Sequence, residues 1–360
     1  MIRAVVLLTT FLSFSALAQP AQNLILVTLD GVRWQEIFNG ADSTLLFDPV
    51  YSRDTASARK LFWAATATER RERFMPFLWN TVGKQGQLYG NRQKGSRMNV
   101  SNPHWFSYPG YNEILSGYAD DRIKSNDKID NPNVTVLEFL NQQPDYKGKV
   151  AVFSSWDVIE AAVNEKRSGI PASSANEASR PVTSPDSLLS DLTTLYPREF
   201  GDGVRADFLT YFAARQYVKQ KQPRVLFLSF DETDDLAHAG RYADHLRMVQ
   251  SIDRYLADLW QMIQKMPQYA GKTAMLITTD HGRGHTPKAR WKDHGTKTPD
   301  SYQIWLAAMG PGVATSGEQS SGPVLFQNQI AATLARLLGF DFKTDHPVGP
   351  SISSLVGSKR

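Results

Sequence analysis

The chain alternates short, nearly uninterrupted apolar runs with longer segments in which apolar residues recur every three or four positions. Residues 24–29, 150–153, 225–230 and 274–277 are runs of the first kind, rich in β-branched and aromatic side chains and too short for helices. Lack of polar alternation is what a strand covered on both faces requires. Elsewhere the period lengthens. Leu246, Val249, Ile252, Leu256, Leu259 and Ile263 predict a helix over about 241–266, ended by Pro267. Phe74, Phe77, Leu78 and Val82 predict another over 69–83, with Pro76 implying a kink or a later start. Shorter helices are expected at 134–140, at 111–116 entered through Pro109, and at 329–338 before Gly339. A further apolar run, 304–309, leads into Gly310-Pro311-Gly312. Strands alternating with helices predict an α/β fold, a mostly parallel central sheet with helices on both faces.

Two stretches, about 40–75 and 160–205, lack a clear period, and the second shifts to Ser, Pro, Ala and Asn. They are expected to be insertions in a single catalytic domain over 19–360, the second an irregular or helical layer above the active-site edge. Residues 1–18 form a leader: Arg3 precedes an apolar run to Leu17, and Ala16-Leu17-Ala18 is a small-x-small cleavage site. The run is short for a membrane span and contains Thr9, Thr10, Ser13 and Ser15. The expectation is an exported chain, periplasmic or secreted, with no membrane anchor after signal cleavage. The net charge of +4 is scattered, which argues against a nucleic-acid-binding surface. With Cys 0, disulfides, thiolate metal sites and a cysteine nucleophile are excluded. Any metal must be held by His and carboxylate.

Three predicted strands end in acids: Asp30, the 231–235 group, and Asp280, followed by His281 and Gly282. In open α/β sheets ligands bind beyond the carboxyl ends of the strands. One acid there is ordinarily a helix cap, whereas three on a common edge, two accompanied by His, point to a metal centre. Asp234 and His238 are four apart and Asp235 and His238 three apart; both spacings share a helical face, so spacing does not choose between them. Nor does it choose between His285 and His294 as the last ligand. Asp30, Asp234, His238, Asp280, His281 and one of these histidines are too many for one catalytic zinc. They suit two divalent ions about 4 Å apart. The N/O donor set favours zinc, with manganese the alternative.

In this order the motifs resemble the alkaline phosphatase superfamily, and within it the nucleotide pyrophosphatase/phosphodiesterase-like members. The matching pieces are Leu29-Asp30-Gly31, Ser107-Tyr108-Pro109, Asp234-x-x-x-His238, Asp280-His281-Gly282, His294-Gly295 and the last helix with Leu338-Gly339. The resemblance implies one ion held by Asp234, His238 and His294, and another held by Asp30, Asp280, His281 and the nucleophile Ser107. It thereby selects Asp234 over Asp235, His294 over His285, and Ser107 over Ser101 and Ser116. The implied reaction is in-line attack by Ser107 on the phosphorus of a small-molecule phosphate ester, then hydrolysis of the phosphoserine by water. A short helix behind Ser107 would lend backbone N–H groups to a phosphoryl oxygen. Asn126 is the candidate for a further phosphate contact, by similarity to the family's asparagine after that helix.

Some departures limit the match. Sulfatases of the superfamily carry Arg two residues beyond the proline of their nucleophile motif, where this chain has Tyr111. The cofactor-independent phosphoglycerate mutases share the metal set but are cytoplasmic and larger. The Lys166-Arg167 pair is the candidate for the cation that monoesterases use. The competing class, a non-catalytic metal-binding periplasmic protein, is expected to have lost ligands, and here every ligand is assigned.

Overall fold

The computed structural model describes residues 19–175 and 187–356; the leader at 1–18 lies outside them. Eight strands make the main sheet: β1 Asn23–Leu29, β2 Gly86–Tyr89, β3 Val150–Ser154, β4 Ala172–Ser173, β5 Val225–Phe230, β6 Thr273–Thr278, β7 Leu306–Met309 and β8 Gly317–Glu318. Their spatial order is β8-β2-β7-β6-β1-β5-β3-β4. The run β6-β1-β5-β3-β4 is parallel throughout, while β7 is antiparallel to both its neighbours. Five helices bear on the site and the two cores: α1 Ser107–Ser116, α2 Asp207–Lys221, α3 Glu232–His238, α4 Tyr242–Ile263 and α5 Ile330–Leu337.

The continuous apolar runs form the middle of the sheet because successive side chains leave a strand on opposite faces. Ile25, Val27 and Leu29 join Leu226, Leu228, Phe230, Met275 and Ile277 in one core. Leu24 and Leu26 join Val225, Phe227, Ala274 and Leu276 in the other. The apolar stripe of α4 closes the first core with Leu246, Val249, Ile252, Leu256, Leu259 and Ile263 all fully buried. Each such side chain stabilises the fold by about 1.5–3 kcal/mol. Helices α1 and α5 close the second core.

Where the sequence reading and the structure differ, local chemistry explains it. The helix expected over 69–83 is broken: Ala67–Phe74 ends at Met75, and a π-turn restarts over Leu78–Val82. Pro76 has no N–H to continue the ladder. Asp253 of α4 accepts from the N–H groups of Phe77 and Leu78 at 2.8 and 2.9 Å, satisfying the backbone at the break. The run at 304–309 changes sheet at Trp305. Gln303–Ile304 pairs with Met98–Asn99 in a small second sheet, and β7 continues in the main one. The 40–75 stretch is a set of short helices, with Leu45, Leu46, Ala58, Phe62 and Phe74 buried in the first core. Within 160–205, residues 172–173 extend the sheet as β4, and Ser187–Leu195 is a helix. Helix α2 gave no sequence signal. Its Leu209, Tyr211, Ala213, Ala214 and Val218 are buried while Phe212 is exposed, so apolar residues do not sort onto one face, and Ala206 offers no capping side chain. Among the described residues no helix is long and apolar enough to cross a membrane.

Candidate metal centre

Strands β6, β1 and β5 are neighbours in the middle of the sheet, and their carboxyl ends deliver Asp280-His281, Asp30 and helix α3 to one edge. Asp280 and His281 are fully buried and Asp30 nearly so. The Nδ1 of His281 lies 2.9 Å from the Gly282 carbonyl oxygen, an acceptor that places the ring proton on Nδ1 and turns Nε2 toward the edge. Around that Nε2 stand Ser107 Oγ at 3.3 Å, Asp30 Oδ1 at 3.3 Å and Asp280 Oδ2 at 3.4 Å. Neither of these carboxylate oxygens accepts an aligned hydrogen bond from the described residues. A buried carboxylate oxygen without a donor is costly, and a divalent cation is the partner that removes the cost. The residues therefore fit a metal ion at this position.

A second cluster adjoins the first. His238 Nε2 lies 3.1 Å from Asp234 Oδ2 and 2.9 Å from His294 Nε2, while the rings of His281 and His294 stack at 4.0 Å. Asp234, His238 and His294 on one side, and Asp30, Asp234 and His281 on the other, each bring ligand atoms within 4.8 Å of one another. Asp235, its rival at the shared spacing, instead hydrogen-bonds to Asp231. His285 is exposed and lines a separate cavity of about 380 Å3 with Trp34 and Trp63, to which no residue of the two clusters contributes.

The charges follow from this crowding. Burial, with Asp30 adding to it, pushes the Asp280 carboxyl up to about 8. Burial opposes charge on His281, but Asp280 and Asp30 outweigh it and carry the imidazole up to about 9. His294 and His238 go the other way: burial and the neighbouring His281 push both down, so both stay neutral at pH 7 and suited to bind metal. Behind α3, burial lifts Asp235 to about 7, Glu232 to about 8 and Asp207 to about 6. Asp207 Oδ1 accepts from the N–H of Asp231 at 3.0 Å, fixing the start of α3.

Ser107 opens α1 rather than preceding it, and Phe106 is its N-cap. This narrows the donor set expected there. The Tyr108 N–H donates to Asn126 Oδ1 at 3.0 Å, Pro109 has none, and the Gly110 N–H donates to the Phe106 carbonyl. The N–H of Ser107 itself is left among the described residues. Asn126 thus reaches the helix of Ser107 through its carbonyl oxygen, which leaves Nδ2 to donate elsewhere. Ser116 Oγ, by contrast, donates to Asn112 at the far end of the helix. Ser101 sits on the loop before α1, where its N–H donates to Glu113. Lys166 and Arg167 are engaged elsewhere, Lys166 with Asp130 and Arg167 with Glu138 and the carbonyls of 131–133.

Several residues that hold the site escaped the sequence reading. Gly110 brings α1 against the centre: a Cβ there would lie 2.4 Å from the Asp280 carbonyl oxygen. Tyr111, one position on, donates its hydroxyl to Asp30 Oδ2 at 3.0 Å. Glu113, fully buried, accepts from the N–H groups of Ser101 and Asn102 and so ties down the loop leading to Ser107. Arg283, buried between Gly282 and Gly284, contacts Asp234. A lone arginine between two glycines directly after Asp280 and His281 was the available signal for it.

Known structures share this fold. The chain superposes on the alkaline phosphatase PafA over 94% of its own length and 99% of the other, with a TM-score of 0.60 and 12% identity. It superposes on the lipoteichoic acid synthase LtaP from Listeria monocytogenes over 93% and 76%, with a TM-score of 0.59 and 12% identity. For the phosphonate monoester hydrolase of Agrobacterium radiobacter the figures are 95% and 78%, 0.59 and 14%. At such identities the likeness is one of fold, and the fold is that of the alkaline phosphatase superfamily. Within it, the chain belongs to the type I phosphodiesterase / nucleotide pyrophosphatase family, whose model matches residues 48–316. It is accordingly a hydrolase of that superfamily. The matched span takes in Ser107, Asn126, Asp234, His238, Asp280, His281 and His294, and begins after Asp30. No curated protein matches the chain.

Proposed function

We propose that the chain is an exported, two-zinc phosphoric ester hydrolase that acts through a phosphoserine on Ser107. One observation carries the reading. Ser107 Oγ, Asp30 Oδ1 and Asp280 Oδ2 converge within 3.3–3.4 Å of His281 Nε2, beside the Asp234, His238 and His294 cluster. When bound, two divalent ions supply Lewis-acid stabilisation of phosphoryl charge and make a hydroxyl acidic enough to attack at neutral pH. Asp30, Asp280, His281 and Ser107 would hold one ion and Asp234, His238 and His294 the other.

The chain's own residues do the rest. Ser107 Oγ attacks phosphorus in line as the bond to the leaving oxygen breaks, and that oxygen departs with its electron pair and takes up a proton. Water then cleaves the phosphoserine and restores the hydroxyl. Asn126 Nδ2 and the Ser107 N–H donate to phosphoryl oxygens. Glu113 holds the approach loop, and Tyr111 holds Asp30 by Oδ2, the oxygen turned away from the centre. Tyr111 at the place of a sulfatase's arginine favours phosphoric over sulfate esters. The engagement of Lys166 and Arg167 with Asp130 and Glu138 leaves the monoesterase cation without a candidate there, which favours diesters. A complete ligand set argues against a non-catalytic binding protein. Export rests on the leader sequence.

Nitrophenol release from the zinc-reconstituted chain tests the reading, with a bis-nitrophenyl phosphate, a nitrophenyl phosphate and a nitrophenyl sulfate as substrates. The expected order is diester above monoester above sulfate. Ser107→Ala should lower turnover by about 10³-fold or more with metal content unchanged. Unaltered turnover in that variant would sink the assignment of Ser107.

A further inference from the structure

We infer that Arg283 is a positioning residue that makes Asp234 a one-oxygen ligand and so keeps the two ion positions separate. The inference rests on the two-ion reading above. Each carboxylate at this edge has one oxygen held by the protein. Asp30 Oδ2 accepts from the Tyr111 hydroxyl at 3.0 Å, and Asp280 Oδ1 accepts from the Gly31 N–H at 3.0 Å. Their other oxygens face the centre without a donor. Asp234 follows the same rule with a different partner. Its Oδ2 faces His238, and its Oδ1 meets the Arg283 guanidinium as an ion pair rather than an aligned hydrogen bond. That Oδ1 lies 3.8 Å from His281 Nε2 and 3.8 Å from His294 Nε2, one imidazole of each cluster. It is the oxygen placed to bridge the two positions, and it is the one matched to a cation.

Arg283 is built into the site at several points. Its Nε donates to the Gly31 carbonyl at 3.0 Å and its Nη1 to the Lys292 carbonyl at 2.6 Å. One planar fork therefore ties the residue after Asp30, the segment leading to His294, and Asp234, while its own backbone follows His281 by two residues. A lysine offers a single point of charge and cannot span these partners. The space around the fork is a second, separate observation. Gly31 has φ +61°, and a Cβ there would lie 2.7 and 2.8 Å from Arg283 Nε and Nη2 and 2.8 Å from Asp234 Oδ1. Residue 31 has no side chain because the ion pair fills its place. For Asp234 Oδ1 to bridge two ions, a buried guanidinium would have to lose its counter-charge, which is strongly unfavourable.

Stepwise Zn2+ binding tests this on the full chain, wild type beside Arg283→Met, Arg283→Lys and Gly31→Ala. The readouts are competition with a chromophoric chelator, metal analysis after gel filtration, and thermal unfolding. Wild type should take up two ions. In both Arg283 variants the affinity for one ion should fall about 10–100-fold, as when a residue holding a ligand is lost, while the other changes less than about twofold. Gly31→Ala should weaken the same ion although Arg283 and every proposed ligand are present, with some loss at the other ion as well because the residue's N–H also ties Asp280. Unchanged stepwise affinities in Arg283→Met, or recovery in Arg283→Lys, would overturn the inference. So would parallel loss of both ions with a lowered melting temperature, which would mark a general structural role. Should Arg283→Met not fold, the lysine and glycine variants decide the matter. Fewer than two ions in wild type would instead refute the two-ion reading, whatever the variants do.

Discussion

His238 Nε2 and His294 Nε2 face each other at 2.9 Å, one from the end of α3 and the other from the loop after β6. Burial and the nearby His281 keep both rings below the usual histidine range, so at pH 7 each presents a lone pair. His294→Ala should leave a protein that retains one ion of two. Its hydrolysis of a phosphodiester should fall by more than the roughly 10–100-fold that loss of a ligand's hydrogen-bonding partner costs. Metal analysis beside a rate measurement checks this, and full zinc content in the variant would remove His294 from the ligand set.

Metal uptake should release protons. Asp280 is lifted to about 8 and His281 to about 9, the latter by the charge of Asp280 itself, so at pH 7 the pair holds a proton in the metal-free chain that binding an ion there would displace. Zinc affinity should therefore rise with pH up to about 9. Calorimetric titrations at pH 7 in buffers of different ionisation enthalpy should report release of about one proton from the pair. A heat independent of buffer would contradict the buried, proton-holding pair.

Gly110→Ala should uncouple Ser107 from Asp280 and His281. The added methyl would sit 2.4 Å from the Asp280 carbonyl oxygen, so α1 must move away from the end of β6. Overpacking of this kind costs about 1–3 kcal/mol, and the displaced element begins with Ser107. The expected result is a lower kcat with both ions retained. Wild-type kcat would show that the helix can shift without moving Ser107 Oγ.

These contacts mark the boundary of what the chain discloses as a string of letters. The central strands were legible because burial on both faces leaves no polar residue in 24–27 or 225–228, and α4 because its apolar stripe keeps one face. The acids and histidines at the strand ends were legible because the topology sends those ends to one edge. What holds them is not periodic. Gly31 serves Asp280 from 249 positions away, and Tyr111 serves Asp30 from 81. Helix α2 lies against β3 and β5 with apolar residues on more than one side, so no stripe announces it. Pairings of this sort depend on which strands become neighbours, and the local sequence carries no record of that.

The break at Pro76 predicts a pH dependence of stability far from the metal centre. Burial raises Asp253 to about 7, against about 3.9 in an unfolded chain. The folded state therefore binds the extra proton between those values, and stability should fall as pH rises from about 4 to about 7, then level off. Asp253→Asn cannot titrate and should remove that part of the slope. It should also lose one of the two bonds to Phe77 and Leu78, worth about 1 kcal/mol. Melting curves of both proteins between pH 4 and 8 compare the slopes, and identical slopes would show that Asp253 is ionised throughout.

The one-tied, one-free pattern of the edge carboxylates has a consequence for which side chains these positions accept. A tie on one oxygen fixes the distance from the backbone at which the other oxygen stands. Glutamate carries the same charge with an added methylene, so it would overshoot either its tie to Tyr111, Gly31 or Arg283, or the position proposed for an ion. The edge thus measures length as well as charge, and at Asp30, Asp234 and Asp280 a change between the two acidic residues is no more conservative than loss of the acid.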